Sequence, residues 1–199
     1  MNPSLYFIYD SHCPWSYACT PLVIQLEQAF PDLQIYAWHC AHYDGRDHLS
    51  AKQLSAITDQ STVTFGQSYQ AQANQTKDAT LSANFLAWIQ HKQPNKLLPA
   101  LTQLQQLHFG SGVEFTQASD FDPIIEQLKL SPSAKIFKDK LNNQAQDTLS
   151  DVTELQDFIG TTSFPALLLL TGDKGVLLNH ALYLKQPATI IDAVKQELT

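Results

Sequence analysis

Near its start the chain reads Asp10-Ser-His-Cys-Pro-Trp-Ser-Tyr17, and within this run Cys13 has the setting of a nucleophile. The preceding stretch, Leu5–Asp10, is almost wholly apolar and reads as a strand buried on both faces. Pro14 suits a first helical position, where the amide it lacks would have no partner anyway. Cys13 is therefore expected at a helix N-terminus, with the amides of Trp15 and Ser16 free to point at its sulfur. Together with the helix dipole they should favour the thiolate and bring its pKa below the free value of about 8.5. The Ser16 hydroxyl can donate to the same sulfur, and a protonated His12 would add to the effect. The plainer alternative is a small buried cysteine closing a helix end.

Two further cysteines bear on this chemistry. Cys19 shares a helical face with Trp15, Val23 and Leu26 and reads as a core thiol. Cys40 follows a second strand, Leu33–His39, and two parallel strands end on the same sheet edge, so Cys40 is the candidate resolving thiol. His12, Cys13, His39, Cys40, His42 and His48 all fall towards that edge, and thiolate with imidazole is a zinc set. Their spacing matches no standard zinc pattern, so no metal is expected. Trp15, Tyr17, Trp38 and Tyr43 are candidates to wall a substrate groove, whereas His91, His108 and His180 read as ordinary helix or strand residues.

The elements that must hold these residues follow from periodicity. A helix from Pro14 to Phe30 joins the two strands into a βαβ unit, with Pro21 expected to kink it. From about Gly45 to Gly160 strand signals thin out. Leu81, Phe85, Trp88 and Ile89 share a face, as do Leu97, Leu101, Leu104 and Leu107 ahead of a stop at Gly110. Asp122-Pro123 and Ser131-Pro132 predict helix starts leading Ile124–Leu128 and Ala134–Leu141, and Val152–Ile159 gives a short amphipathic piece. After Gly160, Ala166–Leu170 and Val176–His180 read as a hairpin about Gly172–Gly175, and a C-terminal helix runs through Ile190, Val194 and Leu198.

Composition narrows the function classes. The chain has 199 residues, of which 44% are hydrophobic and 16% charged, enough for a substantial core. A net charge of −7 argues against nucleic acid and anionic membrane as partners, and no apolar run would span a bilayer. The N-terminus lacks the basic and apolar regions of a signal peptide, so a cytoplasmic location with reduced thiols is expected.

The run Asp10–Tyr17 resembles the active-site loop of DsbA-like members of the thioredoxin superfamily, above all their FrnE-like branch of disulfide isomerases and oxidoreductases. Thr161-Thr-Ser-Phe-Pro-Ala is similar to the cis-proline loop of that family. The resemblance implies an α/β, thioredoxin-like fold (βαβ…ββα) in residues 1–45 and 160–199, with residues 46–159 as an all-helical insertion. It also implies that Pro165 is cis and faces Cys13, with Phe164 at a thiol or peptide site that includes His12, Pro14 and Trp15. One departure matters: redox-active members carry a second cysteine where Ser16 stands here. A lone Cys13 cannot resolve its own mixed disulfide, so an outside thiol such as glutathione is implied as co-substrate, with no tightly bound cofactor. The expected function is a thiol–disulfide oxidoreductase or isomerase with Cys13, Ser16 and Pro165 as catalytic residues. It would act on a protein or small-molecule thiol or disulfide. The alternatives are a kappa-like glutathione-dependent transferase or isomerase, and a non-catalytic thiol- or metal-binding module.

Overall fold

The computed structural model describes residues 2–198. Strand β1 (Ser4–Tyr9) leads into helix α1 (Pro14–Ala29), which continues through Pro21, and the chain returns in β2 (Gln34–His39). A helical stretch follows: α2 (Ala51–Gln60), α3 (Gln67–Ala71), α4 (Thr80–Lys92), α5 (Leu97–Gln105), α6 (Asp122–Leu128) and α7 (Asn143–Ile159). Strands β3 (Ala166–Thr171) and β4 (Lys174–Leu178) and helix α8 (Ile190–Glu197) end the fold. Among the described residues the sheet has four strands in the order β2-β1-β3-β4. β1 runs parallel to β2 and antiparallel to β3, and β4 is antiparallel to β3. No helix among these residues is long and apolar enough to cross a membrane.

The central strand is covered on both faces because its side chains alternate. Leu5, Phe7 and Tyr9 pack with Leu22, Val23 and Leu26 of α1 and with Ile190 and Val194 of α8. Ile8 points the other way, to Ala166 and to Val152 of α7. Each fully buried aliphatic side chain stabilises this arrangement by roughly 2 kcal/mol. With both faces filled, β1 and the start of α1 form a fixed platform for Cys13.

Several boundaries differ from expectation for identifiable reasons. Ala134–Leu141 forms no helix beyond a single turn at Ala134–Ile136. Buried Asn84 takes the carbonyls of Lys138 (3.2 Å) and Lys140 (2.9 Å) and the amide of Asn142 (2.7 Å), holding that segment as a loop. Val152–Ile159 is the second half of the 17-residue α7, not a short piece. Gly110 does not stop α5. The chain widens into a π-turn over Gln106–Ser111 and ends at Gly112, whose φ of 76° suits glycine. Glycine at 66 answers a different need, since a Cβ there would lie 1.8 Å from the Gly110 carbonyl oxygen. The β3–β4 turn is tighter than expected: Thr171 pairs directly with Lys174, which moves β4 towards the N-terminus and leaves His180 in a short 3-10 turn.

Candidate active site

Cys13 is the residue before α1, with Pro14 in the first helical position. The amides of Trp15 and Ser16 and the Ser16 hydroxyl all act on its sulfur to favour the thiolate. Ser16 is completely buried, and its oxygen also accepts the Asp10 amide at 3.2 Å. The expected lowering of the Cys13 pKa is nevertheless overturned. Only 5% of Cys13 is exposed, and burial outweighs the donors and pushes its thiol up to about 11.

The cover comes from residues distant in sequence. Tyr43 and Ala79 close over Cys13, with Trp15 and Phe164 packed at the margin. A two-way main-chain bond set holds the first pair together: the Ala79 amide donates to the Tyr43 carbonyl (2.8 Å), and Gly45 donates to Lys77 (2.8 Å). Pro165 follows Phe164 through a cis peptide bond, as its motif predicts, and Phe164 brings that loop against the Cys13 cluster.

Asp10, which the sequence reading passed over, organises both loops. Its fully buried carboxylate accepts the amides of His12 (2.8 Å), His42 (2.8 Å) and Tyr43 (3.1 Å). Its carbonyl accepts the Cys13 amide at 3.1 Å. Ala41 adopts a left-handed φ of 46°, which turns the chain after β2 so that the next two amides reach this carboxylate. The available signal was an acid closing an otherwise apolar strand, a placement that demands partners.

The histidines do not assist Cys13 as expected. His12 is fully buried, and desolvation lowers its pKa to about 4, so it is neutral and cannot supply a positive charge. Its ring lies 4.1 Å from that of His108, and its Nδ1 is 3.0 Å from the Ser11 hydroxyl. His108 is no ordinary helix residue: it is fully buried, with Nδ1 donating to the Val113 carbonyl at 2.7 Å and Nε2 unpartnered. Burial also lowers the pKa of His39, whose Nδ1 accepts the Ala41 amide (2.9 Å) and whose Nε2 meets Ser11. His42 pairs instead with Asp47 at 3.4 Å. These separate attachments disperse the candidate zinc set, and among the described residues no group of three or more His, Cys, Asp or Glu converges on a metal position.

Of the four candidate groove aromatics, Trp15 and Tyr43 reach Cys13. Tyr17 stacks on Phe109 in the core (4.6 Å), and Trp38 packs against Tyr6 on the sheet. All three cysteines are free. Cys19 is fully buried in the main core, and Cys40 sits in a separate apolar cluster with Ile8, Val152 and Trp38. Phe164 touches both the Cys40 and the Cys13 clusters and so lies between them.

The order of thiol pKa values yields a direct expectation. Burial raises all three thiols, Cys40 further than Cys13 and Cys19 well above its ordinary value. Alkylation of the folded protein should therefore begin at Cys13, with a rate that climbs towards pH about 11 instead of levelling near the free-thiol value. Peptide mapping after timed iodoacetamide treatment across alkaline pH checks this; a plateau below pH ~8.5 would contradict it.

No family model matches the sequence, and no curated protein matches it either. Solved structures do. The chain is similar to the cytosolic disulfide reductase DsbM from Pseudomonas aeruginosa, with a TM-score of 0.81, 18% identity and 98% of each chain covered. A second structure of that reductase, with GSH, superposes with a TM-score of 0.79 at the same identity and coverage. A candidate protein disulfide isomerase from Nitrosomonas europaea gives 0.73 at 16% identity over the whole of both chains. A 2-hydroxychromene-2-carboxylate isomerase gives 0.60 at 14% identity, covering 98% of this chain and 95% of its own. The fold is thus the α/β thioredoxin-like fold of DsbA-type proteins.

Proposed function

We propose that this chain is a cytoplasmic thiol–disulfide oxidoreductase or isomerase that works through the single nucleophile Cys13, with residues 46–159 as a helical insert in the thioredoxin-like fold. The observation that carries this reading is the placement of Cys13 ahead of α1, where the Trp15 and Ser16 amides and the Ser16 hydroxyl favour its thiolate, with the cis-Pro165 loop packed beside it. Fold likeness to a cytosolic disulfide reductase, one of whose structures contains GSH, supports the same reading.

In this scheme the Cys13 thiolate attacks a substrate disulfide, forms a mixed disulfide and releases one substrate thiolate. A glutathione thiolate then attacks the Cys13 sulfur and displaces the second substrate thiol. A second glutathione regenerates Cys13 and leaves as oxidised glutathione. One substrate disulfide is reduced and two glutathiones are oxidised, so electrons balance. Ser16 stabilises the thiolate as it forms and again as it leaves. Pro14 starts the helix, Trp15 and Phe164 flank the sulfur, and Pro165 shapes the approach of substrate. His12 acts through its amide on Asp10, not through its ring. The raised thiol pKa requires that the Tyr43–Ala79 cover yield when substrate docks, since the thiolate forms readily only once burial is relieved.

Intact-mass analysis after exposure to oxidised glutathione tests the scheme. Wild type should gain one glutathionyl group that reduced glutathione removes, and Cys13→Ser should gain none. No adduct on wild type, or an equal adduct on Cys13→Ser, overturns it. Ser16 in place of a second cysteine, and fold likeness to the carboxylate isomerase, favour one second reading: glutathione bound non-covalently in a transferase or isomerase. Binding of reduced glutathione without any adduct would favour that reading.

A further inference from the structure

The Lys138–Asn142 loop pinned by Asn84 forms one wall of a cleft of about 600 Å³, a volume typical of small-molecule sites. Lys92, Lys135, Lys138 and Lys140 all line it, four of only twelve basic residues in a chain of net charge −7. Its lining includes no carboxylate. Asp139, between two of the lysines, lines a neighbouring hollow with Asp78 instead. Among the described residues none of the four lysines lies within ion-pair distance of an acid. Concentrated positive charge without internal neutralisation raises the local potential and attracts anions.

Two features make this more than a scatter of surface lysines. Asn84 is wholly buried and spends both ends of its amide on the lysine-bearing backbone, so the loop is held in one shape. Trp88 on α4 is half-buried, stacks one way on Phe85 (6.3 Å between centroids) and forms an aromatic wall of the same cleft. Asn143, in the first turn of α7, also faces it.

We propose that this cleft binds a small molecule bearing linked phosphates, with the lysines on the phosphate chain and Trp88 beside a flat organic group; a nucleoside triphosphate uses both. The cleft shares no lining residue with the cluster around Cys13, so the proposal is independent of the thiol chemistry. A compact polyanion fits better than a nucleic acid strand. Beyond a Debye length of about 8 Å the cleft no longer dominates, and a longer polyanion meets the net negative surface.

Isothermal titration calorimetry with ATP, tripolyphosphate and adenosine tests this on the full chain. ATP and tripolyphosphate should bind saturably, more tightly at low salt, and adenosine should bind far more weakly than either. The exposed double variant Lys138→Gln/Lys140→Gln should keep the wild-type melting temperature and Cys13 alkylation rate yet bind ATP about tenfold more weakly. Trp88→Leu should weaken ATP and spare tripolyphosphate if the ring is recognised. Equal loss for both ligands in a folded Trp88→Leu, or equal affinity of wild type for both, would overturn the aromatic part. Absence of saturable binding, or unchanged affinity in the double lysine variant, overturns the whole proposal.

Discussion

Ser16→Cys is expected to let the protein resolve its own mixed disulfide, where the proposed scheme has glutathione do so. Positions 13 and 16 lie one helical turn apart, where Cβ atoms are about 5–6 Å from each other, and a disulfide needs only modest closure from there. The remaining parts stand ready: the helix N-terminus, the donors from Trp15 and Ser16 amides, and the neighbouring cis-Pro165 loop. An attached thiol acts at an effective concentration of about millimolar or more, so with glutathione held near a tenth of that the variant should release its second substrate thiol roughly tenfold faster, leaving an internal disulfide that glutathione then reduces. Thiol release from a mixed disulfide preformed on Cys13, followed in wild type, Ser16→Cys and Cys40→Ala with limiting glutathione, measures the gain. The substitution exchanges a good acceptor of the Asp10 amide for a weaker one, at a stability cost of about 1 kcal/mol. A folded Ser16→Cys without faster thiol release would show that the missing sulfur is not what limits resolution. Slower release in Cys40→Ala would identify Cys40 as the resolving thiol, reached past Phe164 from its own cluster.

The second large effect is on stability in acid. His12, His39 and His108 are buried as neutral rings, and burial lowers all three pKa values, His12 to about 4. Once unfolded they titrate near 6.5, so between that pH and about 4 the unfolded chain binds more protons than the native one. Stability is therefore fully present above pH 6.5 and drains away as pH falls towards 4, with His12 alone accounting for about 3 kcal/mol. Urea unfolding at stepped pH values should show the midpoint dropping steeply across this window. His108→Gln, which keeps a donor for the Val113 carbonyl but does not titrate, should flatten the drop. A wild-type midpoint unchanged between pH 7 and pH ~4 would mean that these rings are hydrated or already charged in the native state.

What the sequence made legible was local. The apolar run of β1, the Cys13-Pro14 start of α1, the hairpin and the cis-Pro motif each carry their signal within a few residues. What it hid was long-range. The burial of Cys13 depends on Tyr43 and Ala79, and no local pattern around residue 13 shows that two distant loops pair above it. The helix-end donors are visible in the local sequence, but the desolvation that outweighs them is not. The same holds for His12, whose ring packs on that of His108 from the turn after α5. In place of the expected helix at Ala134–Leu141 the chain is a loop, whose Lys138 and Lys140 carbonyls and Asn142 amide are held by Asn84 from α4.

The cover over Cys13 also bears on how long the protein survives in an oxidising cell. Peroxide oxidises the thiolate, and an exposed thiolate climbs from sulfenic to sulfinic and sulfonic acid, the last two beyond ordinary repair. A sulfur that stays protonated and 5% exposed between turnovers offers peroxide neither the reactive form nor room to approach. In the proposed scheme Cys13 is the single working sulfur, which makes that shelter matter most. With Ser16 in the loop, a sulfenic acid on Cys13 has no cysteine three residues away to trap it as a disulfide, and keeping peroxide out takes the place of that rescue.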